Sequence, residues 1–166
     1  MLRHTSLHDR HRQLGAQLVE FSGWEMPLRY AGIVEEHFAV RRAAGLFDIS
    51  HMGELLVKGP GAEAFLNHLL TNNVSKLAEG QGQYTLLCQA DGGVIDDLYV
   101  YRLQSTDYLL VVNASRVEAD AAWLVHRLRE EPALAGVAVE NASETLGAVA
   151  LQGPAAPAIA AAVIEG

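Results

Sequence analysis

Residues 91–101 read Asp-Gly-Gly-Val-Ile-Asp-Asp-Leu-Tyr-Val-Tyr, so a tight turn delivers two adjacent carboxylates, Asp96 and Asp97, into an otherwise apolar, aromatic strand. Asp-Gly-Gly separates Tyr84-Thr85-Leu86-Leu87-Cys88 from Val94-Ile95, which is a hairpin signal because glycine reaches positive φ without a Cβ clash. If pairing continues to Arg102, period-2 alternation puts Ile95, Asp97, Tyr99 and Tyr101 on one face and Val94, Asp96, Leu98 and Val100 on the other. Asp97 then shares a face with two tyrosines. A flat, nitrogen-rich ligand suits such a face, since it can stack on the rings while its N–H groups donate to the acid. The same aspartates also read as turn residues at a solvated hairpin mouth, and this stretch by itself does not choose between the two.

The composition narrows the classes. A length of 166 residues predicts one domain, able to bury about two-thirds of its unfolded surface without staples. Cys88 is the only cysteine, which excludes an internal disulfide and a cysteine-based metal cluster and fits a reducing compartment. The net charge of −8 argues against a nucleic-acid binder and against a binder of anionic membranes, leaving small molecules and proteins as partners. Nowhere do about eighteen apolar residues run together, and the first 28 residues lack a signal-peptide core. The expectation is a soluble cytoplasmic protein, or one from the mitochondrial matrix shorn of its transit peptide.

Along the chain, residues 6–14 read as a short helix stopped by Gly15. His4, His8 and His11 lie at helical spacings that suggest a zinc face, but no carboxylate or cysteine is fixed beside them, so a solvated face and no metal are expected. A strand over 16–21 precedes a dense loop over 22–28. Residues 33–44 form an amphipathic helix with acids early and bases late. Two short strands over 46–59 meet at Ser50-His51; Asp48, Ser50 and His51 cannot converge as a hydrolytic triad from extended chain, and His51 is expected to order backbone instead. A helix over 61–70, a polar connection, and strands over 83–88, 94–103 and 108–113 follow. Gly80-Gln81-Gly82 lacks the context of a dinucleotide fingerprint. Ser115-Arg116-Val117-Glu118 reads as a capping box opening a helix to about residue 130, with Val117, Ala121, Leu124 and Leu128 inward. Strands over 137–140 and 145–151 and an alanine-rich helix to the chain end complete an α+β pattern: antiparallel sheets with helices packed on one side. Leu55, Phe65, Leu86, Leu98, Leu109, Leu124 and Leu128 are the expected core.

Seven motifs occur in an order that resembles the T-protein (aminomethyltransferase) family of the glycine cleavage system. They are Phe-Ser-Gly-Trp-Glu-Met-Pro-Leu (21–28), Val40-Arg41, Gly-Leu-Phe-Asp-Ile-Ser-His-Met-Gly (45–53), Leu-Thr-Asn-Asn (70–73), Gly-Gly-Val-Ile-Asp-Asp-Leu (92–98), Val-Val-Asn-Ala (111–114) and Leu-Gln-Gly-Pro (151–154). The resemblance implies two intertwined, ferredoxin-like folate-binding subdomains: a first, incomplete one over 1–52 plus 134–166 and a second over 53–133. The family's C-terminal β domain is absent from this chain.

The implied reaction moves a methylene group from the aminomethyl-lipoyl arm of the H-protein to tetrahydrofolate, giving 5,10-methylenetetrahydrofolate and ammonia. By resemblance Asp97 is the catalytic carboxylate, and Met52, Tyr84, Tyr101 and Asn113 line the folate. Asp96 is its structural partner, held by backbone N–H groups of the turn; Asn113 reads equally as a helix cap. Tetrahydrofolate is the co-substrate, no metal is implied, and the ligands of its glutamyl tail fall in the missing portion. A folate-binding module without catalysis and an inactive fragment are the alternatives.

Overall fold

The structure, a computed structural model, describes residues 1–134 and 136–164. In chain order its elements are α1 (His8–Gln13), β1 (Gln17–Phe21), β2 (Trp24–Arg29), α2 (Ile33–Arg42), β3 (Gly45–Asp48), β4 (Gly53–Lys58), α3 (Ala62–Leu69), β5 (Gly82–Cys88), β6 (Val94–Gln104), β7 (Asp107–Val112), α4 (Val117–Arg129), β8 (Ala138–Asn141), β9 (Val149–Gln152) and α5 (Ala156–Val163). They form two units, Met1–His51 with Gly147–Gly166, and Met52–Leu146.

The second unit is a five-stranded antiparallel sheet ordered β5-β6-β7-β4-β8. Without β5, the connectivity β4-α3-β6-β7-α4-β8 and spatial order β6-β7-β4-β8 are those of a ferredoxin-like βαββαβ motif, with β5 added at the edge. Alternation divides the sheet. Leu55, Val57, Leu98, Val100, Leu110 and Val112 point to one face, where Phe65, Leu66 and Leu69 of α3 and Leu124 of α4 close the core. Gly53 is needed on that face because a Cβ there would lie 2.4 Å from the Val117 side chain. The opposite face carries Leu86 and Leu109, both half-buried, so these two expected core residues are corrected: their neighbours Leu87 and Leu110 are the buried ones (0 % exposed).

Ile95 also departs from simple alternation. Leu87 pairs with Asp96 but Cys88 pairs with Val94, so Ile95 is the extra residue of a bulge and packs against the core rather than beside Asp97. The expected capping box is not made. The helix opens at Val117 after Arg116, with no side-chain cap. Residues 138–141 were expected with the first subdomain, yet β8 pairs with β4, so the boundary falls after Leu146 rather than at 134.

In the first unit the expected loop over 22–28 is strand instead. β2 pairs with β1 across a two-residue turn in which Ser22 (φ 51°) and Gly23 (φ 83°) both take positive φ, the combination a tight antiparallel hairpin demands. β3 pairs with β9. β9 starts only at Val149, because residues 142–146 close a turn in which Thr145 and Leu146 donate to the Ala142 carbonyl. Gly153 (φ 119°) lets the backbone pass under the end of α2, where a Cβ would come within 2.5 Å of the Ala43 carbonyl oxygen. The helix expected to run to the chain end stops sooner: α5 ends at Val163, where Ile164 turns extended, and residues 165–166 lie outside the described residues.

Candidate functional site

The second unit leaves the face opposite its helices lined with aromatic rings. Register places Tyr84 beside Tyr99, Tyr99 beside Val111, and Val111 beside Glu54; the next row runs Gly82, Tyr101, Leu109, Leu56. Tyr84 and Tyr99 meet edge to face at 5.8 Å, and Tyr99 stacks on Tyr101 at 5.9 Å. The Tyr101 ring lies over Gly82, where a Cβ would be 2.4 Å away, so the missing side chain makes the floor flat at that end. All three tyrosines are exposed. Three large rings left open on one sheet face are a ready stacking surface.

Asp97 stands at the margin of this floor, exposed, on the same face. Its Oδ2 accepts from the Tyr84 hydroxyl (3.1 Å) and its Oδ1 from Asn113 Nδ2 (3.1 Å). Two donors fix the carboxylate, and each oxygen keeps acceptor capacity for a ligand. The Tyr84 phenol is pushed above its ordinary pKa by desolvation, then by its bond to Asp97 and that group's charge. The structure therefore brings Tyr84, Tyr101, Asn113 and Asp97 together. Met52 is half-buried, one residue before the Gly53–Val112 pairing begins.

Asp96 points the other way, into the core face (6 % exposed). It is not held by the turn. Its Oδ2 accepts the Asn113 backbone N–H (3.0 Å) and its Oδ1 the Asn113 side-chain amide (2.9 Å). The turn's own donors go elsewhere: Gly93 N–H donates to Asp91 Oδ1 (2.9 Å) and Gln89 N–H to the Gly93 carbonyl (2.8 Å). Asn113 is not a cap. Its amide nitrogen clasps both aspartates, donating also to the Asp97 carbonyl (3.0 Å).

Two buried acids were not singled out in the sequence. Glu54 is 2 % exposed with both carboxylate oxygens unpartnered, and burial pushes its pKa up to about 7. Its signal was present: in Gly-Glu-Leu-Leu-Val-Lys (53–58) period-2 alternation sets Glu54 opposite Leu55 and Val57, on the face of the tyrosines. Asp120 falls on the inner stripe of α4, one turn after Val117, where an acid is out of place.

The first unit holds a second polar cluster, and the solvated histidine face is corrected by it. His8 and His11 are buried. His8 Nε2 lies 2.6 Å from Glu25 Oε2, and His11 spans Tyr30 Oη (2.7 Å) and Asp48 Oδ2 (2.9 Å). The carboxylates that sequence spacing could not supply come from β2 and β3. Thr5 donates to the same Asp48 oxygen (2.6 Å) and the Ser50 N–H to the other (3.0 Å); despite burial, these bonds hold Asp48 below the ordinary aspartate range. One ligand atom each from His4, His8 and Glu25 lie within 4.8 Å of one another. The two imidazoles stack 3.7 Å apart with planes only 3° from parallel, and both Nε2 atoms approach the same Glu25 Oε2, at 3.5 Å from His4 and 2.6 Å from His8. His51 makes no hydrogen bond through Nδ1 to the described residues; its ring packs edge-on against Phe21 at 5.6 Å, and burial lowers its pKa. Ser50 Oγ is tied to Ala148, donating to its carbonyl and accepting its N–H (both 3.1 Å), so this hydroxyl is engaged with backbone rather than with His51.

Comparison with known proteins agrees with this architecture. The chain is 51% identical over 158 residues to an aminomethyltransferase of Chloroherpeton thalassium and 51% identical over 156 residues to one of Geobacillus kaustophilus. These alignments cover 95% and 94% of this chain but 42% of each relative, so it spans about two-fifths of their length. The crystal structure of glycine cleavage system aminomethyltransferase T from Bartonella henselae superposes with a TM-score of 0.89 at 38% identity, covering 100% of this chain and 45% of that one. A family model described as the GCVT N-terminal domain matches residues 7–166, and the chain belongs to that family.

Proposed function

We propose that this chain supplies the tetrahydrofolate-binding face of an aminomethyltransferase of the glycine cleavage system. The observation that carries the reading is Asp97, an exposed carboxylate held by Tyr84 and Asn113 at the margin of a tyrosine floor. The pterin lies on Tyr84, Tyr99 and Tyr101, with Met52 as an apolar contact, and Asp97 accepts from its N–H edge.

In the reaction so read, the lipoylated H-protein presents an S-aminomethyl group. N5 of tetrahydrofolate attacks the methylene, the carbon–nitrogen bond to ammonia breaks, and the N5 proton leaves with the ammonia. N10 then attacks the same carbon, the carbon–sulfur bond breaks, and the N10 proton ends on the released thiol. Asp97 orients the attacking amine and stabilises the positive charge that develops on nitrogen and methylene; placed in advance, it needs no reorganisation as the charge appears. Asn113 and Tyr84 hold it there.

The whole activity belongs to a protein of the relatives' length, and this chain alone binds the folate but does not turn it over. No helix among the described residues is long and apolar enough to cross a membrane, and the bacterial relatives support a cytoplasmic setting. Equilibrium dialysis of tetrahydrofolate against the 166-residue chain tests the reading. Saturable binding that Tyr84→Ala and Tyr101→Ala each weaken supports it; binding unchanged by both variants contradicts it.

A further inference from the structure

Asp120 has no exposed surface (0 %), although it is an acid on the core stripe of α4, between Val117 and Leu124. A carboxylate there loses its hydration, and neither oxygen finds a donor among the described residues. Its side chain nevertheless comes within hydrogen-bonding reach of Asp96 on β6. Two carboxylates are both acceptors, so they meet in this way only with a proton between them. Asp96 already accepts from the Asn113 N–H and side-chain amide, at 3.0 and 2.9 Å, which makes it the better anion. The proton therefore resides on Asp120.

We infer that Asp120 is a positioning residue of this site: its carboxyl donates to Asp96, Asp96 fixes Asn113, and Asn113 fixes Asp97. The links from Asp96 onward are short: Asn113 donates to Asp96 at 3.0 and 2.9 Å, and Asn113 Nδ2 lies 3.1 Å from Asp97 Oδ1 and 3.0 Å from the Asp97 carbonyl. The relay passes through the sheet from its helical face to its open one, because Asp96 and Asp97 are neighbours on a strand and face opposite ways. Its catalytic consequence rests on the role given to Asp97 above; its structural part does not.

Among the described residues, the charged groups that bear on Asp120 are Asp96 from β6 and Arg116 from the turn before α4. Burial first, then Asp96, pushes the Asp120 pKa up to about 8, while Arg116 opposes the rise. Above that pH the shared proton leaves, the two carboxylates repel, and the clasp on Asn113 loosens. Asp120→Asn keeps a neutral donor that never ionises. Asp120→Leu fills the space and donates nothing.

The side-chain amide signals of Asn113, followed by 1H–15N NMR in the 166-residue chain across neutral to alkaline pH, test the relay. In the wild type these signals shift with a midpoint near about 8, in Asp120→Asn they stay flat, and in Asp120→Leu they are displaced at every pH. In a chain extended to the relatives' length, kcat falls above the same midpoint and Asp120→Asn removes that alkaline limb. Asp120→Leu lowers kcat by about tenfold or more with KM little changed. An Asn113 titration that persists unchanged in Asp120→Asn overturns the proposal, and that comparison decides even if Asp120→Leu does not fold. Failure of tetrahydrofolate to bind any variant, with the Asn113 titration abolished by Asp120→Asn, would instead sink the folate reading and leave the relay standing.

Discussion

Glu54→Gln should stabilise the second unit at neutral pH and flatten its pH dependence. Glu54 sits in β4 at 2 % exposure with no partner for either oxygen, and its pKa rises from 4.5 to about 7. Between those values the unfolded chain has released the proton and the folded chain retains it. The unfolded state then binds fewer protons than the native one, so stability falls as pH rises, by about 1.4 kcal/mol per unit. Over roughly 2.5 units the loss is about 3 kcal/mol, fully present above pH 7 and absent below pH 4.5. Glutamine keeps the shape and cannot ionise. Urea unfolding at pH values spanning this window measures the effect, with fluorescence assigned to the second unit in a Trp24→Phe background, because the two tryptophans, Trp24 and Trp123, divide between the units. The wild type should lose about 2–3 kcal/mol more than Glu54→Gln from the acid to the neutral end. Identical slopes in the two proteins would show that Glu54 ionises without cost and that its burial is not what the structure describes.

Asp96→Asn should cost about 1–3 kcal/mol of stability, because it weakens a charge-assisted pair of bonds to Asn113 at a buried position, and should lower the transfer rate by less than that in free energy; a larger loss of rate than of stability would mean that Asp96, not Asp97, meets the substrate. Elemental analysis of purified, untagged protein should find no stoichiometric metal, since His4 and His8 stack face to face and His8 Nε2 is already hydrogen-bonded to Glu25 at 2.6 Å; one zinc per chain would overturn this. Supplied with tetrahydrofolate and aminomethyl-loaded H-protein, the 166-residue chain should show no turnover while a chain of the relatives' length does, because orientation contributes about 7–11 kcal/mol to such reactions and one wall of a site supplies little of it; full turnover by the shorter chain would sink the idea.

Local pattern made the tyrosine face legible. Alternation along residues 94–101 separates Asp96 from Asp97 and puts Tyr99 and Tyr101 with the latter, and the strand pairing keeps that separation. What alternation could not show is where it breaks. Nothing in Val94-Ile95-Asp96 announces a bulge, since a bulge is set by the register of the partner strand, and so Ile95 was assigned to the wrong face. Leu86 and Leu87 illustrate the same limit: two adjacent leucines give no phase, and only pairing with Asp97 and Asp96 decides which is core.

The partners of buried polar groups are likewise non-local. His8 finds Glu25 and His11 finds Asp48 across 17 and 37 residues, so spacing within the helix predicted a solvated face. Asp120 was readable as an acid at an apolar phase of a helix, a sign that weighs more than a match to a familiar motif when a site is sought. The failed capping box at Ser115 shows the converse, for the motif is present but the helix begins at Val117, after Asn113 has already been spent on the two aspartates.

The transfer rate of Asp97→Asn, in a chain of the relatives' length with aminomethyl-loaded H-protein and tetrahydrofolate, tests the central claim most directly. The variant deletes charge and keeps shape, so it should fold, bind folate, and retain the contact to Tyr84 while losing most of the rate. A loss of about a hundredfold or more in kcat with folate affinity largely unchanged is the expected result. A rate within about threefold of the wild type, a difference of only about 0.7 kcal/mol in the transition state, would contradict the role assigned to this carboxylate.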